Sequence, residues 1–133
     1  MEIPRITLDT HSLIWYMHED SNHLLSAKAL NAIQEAECSG IIYIPTIALM
    51  EILDLTEKER LPASIPFDTL LESVEKSKAY QITPLNAHLL RISIPLRGME
   101  IHDRLIAATA IMTESVLVSK DRTISASGAS VLW

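Results

Sequence analysis

Four acidic residues, Asp9, Glu51, Asp103 and Asp121, each stand beside an apolar run, and carboxylates so placed could together hold a hard divalent cation such as Mg²⁺. Asp9 directly follows Ile6-Thr7-Leu8, Asp121 follows Val116-Leu117-Val118 by three residues, and Asp103 opens a helical pattern. Each of these three has an ordinary alternative as a helix cap. Glu51 does not. On a helix its neighbours at i−4, i−3 and i+4 are Ile47, Ala48 and Leu55, so its carboxylate lies along an apolar stripe. Burying that charge is costly unless something compensates it, and a cation does so; the competing arrangement is a side chain that reaches water along the helix edge. Mg²⁺ keeps several of its waters and needs only a few carboxylates. The chemistry such a site supports is phosphoryl transfer, in which the ion activates water and stabilises charge on the leaving oxygen.

These acids require a scaffold that delivers several strand ends to one edge. Ile6 to Leu8, Ile41 to Ile44, Tyr80 to Ile82, Val116 to Val118 and Ser130 to Trp133 are short apolar runs and are expected as strands, the continuous Ile41-Ile42-Tyr43-Ile44 as one buried on both faces. Between them lie helical patterns: Leu13 to Met17; Leu24, Leu25, Ala29, Leu30 and Ile33 with Ser26 as a cap; Ile47 to about Glu59; Phe67 to Lys78; Asn86 to Ile94; and Asp103 to Glu114 with small residues at Ala107, Ala108 and Ala110. Pro62 and Pro66 break the chain before Phe67, and Pro95 to Glu100 is a loop. Strands alternating with helices imply parallel pairing, because parallel neighbours need a crossover. The expected fold is a three-layer α/β/α sandwich with a mainly parallel central sheet, one domain spanning 1–133. Ligands of such sheets bind beyond the carboxyl ends of the strands, near a switch in strand order.

Composition narrows the function classes. With 48% hydrophobic and 21% charged residues the chain matches an ordinary globular domain. No apolar run reaches the length of a membrane span, and Met1 to Arg5 lacks a signal-peptide core, so a soluble cytoplasmic protein without a membrane partner is expected. The single cysteine, Cys38, has no second Cys for a disulfide or a shared metal, and the five histidines include no close pair at metal-ligand helix spacing, which disfavours zinc. Net charge is −6, yet residues 86–133 carry 5 basic and 4 acidic side chains, so the acidity sits in the first two-thirds of the chain. A polyanionic partner is therefore compatible with the C-terminal third.

On these residues the sequence resembles the PIN-domain ribonucleases, most closely the VapC-type toxins of toxin–antitoxin pairs. The resemblance runs over Leu8-Asp9-Thr10-His11 with Trp15, Glu51-Ile52, Asp103 to Ala107, Ser119-Lys120-Asp121-Arg122, and Gly128 to Trp133. It implies hydrolysis of RNA phosphodiesters with Mg²⁺ or Mn²⁺, leaving 5′-phosphate and 3′-hydroxyl ends, and control by a cognate antitoxin. It also implies a role for Asp9, Glu51, Asp103 and Asp121 as catalytic metal-binding acids, with Thr10 and Ser119 as supporting hydroxyls. Asp9, Asp103 and Asp121 are expected to hold one ion, with Glu51 supporting it or helping to hold a second.

Two positions depart from the family pattern. Ala48 stands where relatives often carry Ser, which removes a hydroxyl near Glu51, and Glu100-Ile101-His102-Asp103 replaces a common Asp-Pro-Phe-Asp. Arg104, Lys120 and Arg122 adjoin the acids in sequence and are candidates for RNA phosphate contacts. His102 is assigned a structural role, and Trp15 and Trp133 are assigned to core or interface packing rather than base stacking. A homodimer that also accepts an amphipathic helix in a groove is expected from the apolar helices between residues 24 and 75. The competing classes are a nuclease-like scaffold that only binds protein or RNA, and an aspartyl-phosphate phosphohydrolase. The latter needs a second Asp two residues after the first, where this chain has His11. Converging carboxylates would also repel one another, so Asp9→Asn or Asp121→Asn is expected to stabilise the metal-free protein.

Overall fold

A computed structural model of the chain describes residues 2–61, 65–125 and 127–133. Five strands form one sheet in the order β3-β2-β1-β4-β5. They are β1 (Arg5–Leu8), β2 (Ile41–Pro45), β3 (Tyr80–Thr83), β4 (Val116–Val118) and β5 (Val131–Leu132), and every pairing is parallel. The helices are α1 (Thr10–Met17), α2 (Ala27–Ser39), α3 (Thr46–Glu57), α4 (Phe67–Lys76), α5 (Ala87–Ser93), α6 (Ile101–Met112) and α7 (Arg122–Ser125). The expected α/β/α sandwich is the fold observed, with a sheet that is wholly parallel.

The two faces of the sheet carry different sets of side chains because residues alternate along each strand. Ile6, Leu8, Ile42, Ile44 and Val118 pack with Leu13, Ile33, Ile52 and Val74 from α1 to α4. Leu117 packs on the opposite face with Leu89, Leu105, Ile106 and Ile124 from α5 to α7. Leu8, Leu13, Ile33, Ile42, Ile44 and Ile52 are almost fully buried, and each such side chain contributes about 1.5–3 kcal/mol. Thr7, also inaccessible, meets Ser115 Oγ at 2.6 Å, so the polar atom on β1 is satisfied. The alanines of α6 serve the same layer: Ala107, Ala108 and Ala110 are buried and let the helix lie close to the sheet.

Element boundaries differ from expectation where local hydrogen bonds intervene. Helix α6 begins at Ile101 rather than Asp103, because the Glu100 carboxylate caps it by accepting from the amides of His102 (2.9 Å) and Asp103 (3.3 Å). Leu24 and Leu25 precede α2: residues Glu19–Leu24 form a 3-10 segment whose Asn22 side-chain amide donates to the carbonyls of Trp15 (2.7 Å) and Tyr16 (3.1 Å) at the end of α1. Ser26 caps α2 as expected, accepting from the Ala29 amide at 3.0 Å. Helices α3 and α4 stop two residues early, at Glu57 and Lys76. Pro62 lies outside the described residues.

The strand order places the switch point between β1 and β4. From β1 the chain winds outward through β2 to β3, then returns to the other side of β1 for β4 and β5. The crevice beyond the ends of β1 and β4 is where such a sheet offers a binding site.

Candidate active site at the sheet switch point

Asp9 leaves β1 and caps α1: its Oδ1 accepts from the Ser12 amide at 2.9 Å. The Ser12 hydroxyl donates to the Val118 carbonyl at 2.9 Å, which fastens the first turn of α1 to the last residue of β4. Asp9 therefore fills both the capping role and a place at the switch point.

Glu51 reaches the same crevice from α3. Its Oε1 accepts a 2.6 Å hydrogen bond from the hydroxyl of Thr10, itself buried. The hydroxyl missing at the fully buried Ala48 is thus replaced by one from α1. Asp103 enters from the first turn of α6, and Asp121 from the segment after β4. The Ser119 hydroxyl accepts from the Asp121 amide at 3.0 Å, and Asp121 Oδ1 accepts from the Thr123 amide (2.9 Å) and hydroxyl (2.7 Å).

All four acids line one cavity of about 400 Å³, together with Thr10, His11, Trp15, Ile106 and Lys120. Their charges act on one another. Burial, and then the carboxylates of Asp121, Glu100, Glu51 and Asp9, push the Asp103 carboxyl up to about 6. Asp121 moves the other way: hydrogen bonds from the Thr123 hydroxyl and amide outweigh its desolvation, aided by a hydrogen bond from Asp103, and hold it below the usual range. Of the two, Asp103, with fewer donors of its own, is therefore the more readily protonated. Desolvation of His102 is outweighed by its hydrogen bond to Glu100 and by the nearby acids, which raise its pKa.

Among the described residues no three acidic, histidine or cysteine side chains stand as a ready-made ligand set. A hydrated hard cation does not need one, since it retains waters and takes one or two carboxylates directly. The donors fit such an ion: they are all carboxylates, and the mutual repulsion that helps raise the Asp103 pKa is negative charge that a cation would neutralise.

The basic candidates separate. Lys120 lines the cavity. Arg104 is placed elsewhere: its Nε and Nη2 donate to the carbonyls of Ser93 and Ile94, both at 2.9 Å, so the guanidinium closes the end of α5 and is not among the cavity residues. The Arg122 side chain lies outside the described part of the chain. His102 Nδ1 meets Glu100 Oε1 at 2.6 Å beside the α6 cap. Sequence reasoning missed His11, and it gave Trp15 a packing role only. Trp15 does pack against the core cluster, yet it also lines the cavity. The available signal was spacing, since residues 11 and 15 share one face of the helix that Asp9 caps.

The fold has counterparts among known proteins. No curated protein matches the chain by sequence. Three solved structures share the fold over 96% of this chain: VapBC2 from Rickettsia felis, bound to a DNA fragment from their promoter (16% identity, TM-score 0.69, 97% of that chain), FitAcB from Neisseria gonorrhoeae (19%, 0.68, 96%) and a toxin–antitoxin complex from Klebsiella pneumoniae (16%, 0.61, 96%). The PIN domain model matches residues 6–128, a span that begins in β1 and takes in all four cavity acids. With nearly its whole length matched, the chain belongs to the PIN domain family.

Proposed function

We propose that this protein is a divalent-metal-dependent endoribonuclease that serves as the toxin of a toxin–antitoxin pair. The observation that carries the reading is the convergence of Asp9, Glu51, Asp103 and Asp121, from four separate elements, on one cavity at the β1/β4 switch point. Asp9, Asp103 and Asp121 would hold Mg²⁺ or Mn²⁺, with Glu51, oriented by Thr10, supporting the ion or helping to hold a second. When bound, the cation supplies an activated water and neutralises charge on the phosphodiester. The Ser119 hydroxyl positions Asp121 through its amide. Lys120 lines the cavity and is the candidate contact for an RNA phosphate. Cleavage leaves 5′-phosphate and 3′-hydroxyl ends.

The structural neighbours in complexes with antitoxins support an antitoxin partner here. Exposed apolar side chains, Leu90 on α5, Ile94 just after it and Ile101 at the start of α6, support a homodimer. Among the described residues no helix is long and apolar enough to cross a membrane; the proposed action is in the cytoplasm.

The test is direct. Incubated with a mixed set of structured RNAs and Mg²⁺ or Mn²⁺, the protein cleaves at least one and stops on addition of EDTA. Asp9→Asn and Asp103→Asn lose most of the activity, and wild type, unlike Asp9→Asn at matched expression, slows bacterial growth. Cleavage that continues in EDTA would overturn the metal-dependent reading.

A further inference from the structure

A second hollow, of about 440 Å³, lies against the loop between α5 and α6, and its lining includes Arg97, Gly98, Glu100, Asp103, Thr123 and Ser127. Asp103 also lines the cavity of the four acids, so one carboxylate is the wall that the two hollows share. The loop is anchored on both sides of its tip. Leu96 is buried and its amide donates to the Ser93 carbonyl at 3.0 Å, Arg104 donates to the carbonyls of Ser93 and Ile94, and Met99 packs against the core on the far side of the tip. Arg97 and Gly98 stand between these anchors, both exposed. Gly98 has a φ of +86°, and a Cβ built there would meet no heavy atom within 4 Å, so the space beside Arg97 is open.

The Arg97 guanidinium shares this hollow with acids yet makes no ion pair among the described residues. Glu100 is already committed to the start of α6: its Oε2 accepts from the amides of His102 and Asp103, and its Oε1 lies 2.6 Å from His102 Nδ1. The hydroxyls are committed as donors too, Thr123 to Asp121 Oδ1 at 2.7 Å and Ser127 to the Ile124 carbonyl at 2.6 Å. Arg97 is thus the cationic donor that the hollow offers, and its fork of N–H groups matches a phosphate.

We propose that Arg97 holds a phosphate flanking the scissile one, so that the RNA strand crosses Asp103 with one phosphate on the Lys120 side and another on the Arg97 side. The inference rests on the reading of the site as RNA-cleaving. Lys120 lines the acid cavity and Arg97 the second hollow, and neither lines both. A carboxylate of a protein partner would also suit a guanidinium, but the continuity of the two hollows through Asp103 favours the strand on which the acids act. A phosphate contact of this kind fixes the register of the strand without reading its bases.

The salt dependence of binding counts phosphates, because for a single strand log K falls against log salt by about 0.7 for each one neutralised. Anisotropy of a labelled oligoribonucleotide of about ten nucleotides, titrated at several salt concentrations and constant Ca²⁺, which also takes oxygen ligands, gives the slope for each variant. Arg97→Ala is expected to make the slope shallower by about 0.7, and Arg97→Lys, which keeps the charge, to leave it as in wild type. Lys120→Ala should lose a similar amount and the double alanine variant about 1.4, because the two cations meet different phosphates. Arg91→Ala removes an exposed arginine of α5 that lines neither hollow, makes the same change in net charge, and should keep the wild-type slope. A wild-type slope in Arg97→Ala would overturn the proposal and leave Arg97 to a protein partner. An equal fall in Arg91→Ala, or a double variant no shallower than the singles, would overturn it as well. If wild type binds no RNA, the ribonuclease reading itself fails and takes this one with it, an outcome distinct from a slope that Arg97 does not move.

Discussion

The Thr10 hydroxyl donates to Glu51 Oε1 across 2.6 Å and so ties the first turn of α1 to the second turn of α3, where Glu51 lines the cavity. The contact matters because Ala48, fully buried on α3, offers Glu51 no hydroxyl of its own. A carboxylate projecting from an otherwise apolar stripe is thereby held in one orientation.

Thr10→Val should therefore uncouple Glu51 without altering the volume of the site. Loss of one hydrogen bond to a partly solvated carboxylate costs about 1 kcal/mol, or roughly 4 °C in melting temperature for a chain of this size. The proposed ribonuclease activity should fall as well, and Thr10→Ser, which keeps the hydroxyl, should restore both. An equal loss in the Ser and Val variants would assign the effect to packing instead.

Asp9 carries two roles that different substitutions separate. Asn retains an oxygen for the Ser12 amide and caps nearly as well, and it removes one of the charges acting on Asp103, so in the metal-free protein Asp9→Asn should melt at or above wild type while the proposed activity is lost. Asp9→Ala loses the cap too and costs about 1 kcal/mol more. Thermal melts of the two variants side by side check the difference.

The strands were legible because parallel strands covered on both faces read as continuous apolar runs, as Ile41 to Ile44 does. The carboxylates were legible because each follows or flanks such a run, and strand ends in this topology meet at one edge. What failed was direction. Arg104 adjoins Asp103 in sequence, but consecutive helical residues do not share a face, and its guanidinium turns to the end of α5. The start of α6 was misplaced because Glu100, with a longer arm than Asp, caps from three residues before Asp103. Leu24 and Leu25 fit helical spacing, and only the side-chain amide of Asn22, folded back on α1, reveals why the chain takes a 3-10 path there. Trp15 illustrates a different limit: spacing cannot show that a ring packed on the core leaves another face on a cavity.

Gly40 is required by a close approach of backbone to backbone. A Cβ built there would lie 2.0 Å from the Pro4 carbonyl oxygen, which accepts the Ile41 amide at 2.8 Å as β2 begins. Gly40→Ala must shift either Pro4 or the start of β2, and should destabilise by about 1–3 kcal/mol. Denaturant unfolding at constant m-value measures it.

The acidic floor makes a prediction in pH that needs no RNA. In the metal-free protein the Asp103 carboxyl sits near 6, above its ordinary 3.8, so between those values the folded chain holds a proton that the unfolded chain releases. Stability therefore falls as pH rises through that window and stays lower above it. Asp103→Asn removes the titration, and its melting temperature in EDTA should exceed that of wild type near neutrality, with the advantage vanishing by about pH 4. Asp121 is not equivalent. Hydrogen bonds from Thr123 hold its carboxylate low, so its contribution is present above the ordinary pKa and lost as pH falls below it, and Asp121→Asn brings no gain near neutrality. The expectation that relief of repulsion would stabilise at Asp121 thus transfers to Asp103. Mg²⁺ at ten times its dissociation constant should then stabilise wild type by about 1.4 kcal/mol, roughly 5 °C, and Asp103→Asn by much less, because the charge the ion neutralises is already gone. If Asp103→Asn instead melts below wild type near neutrality and answers Mg²⁺ as wild type does, the four carboxylates are not acting as one site.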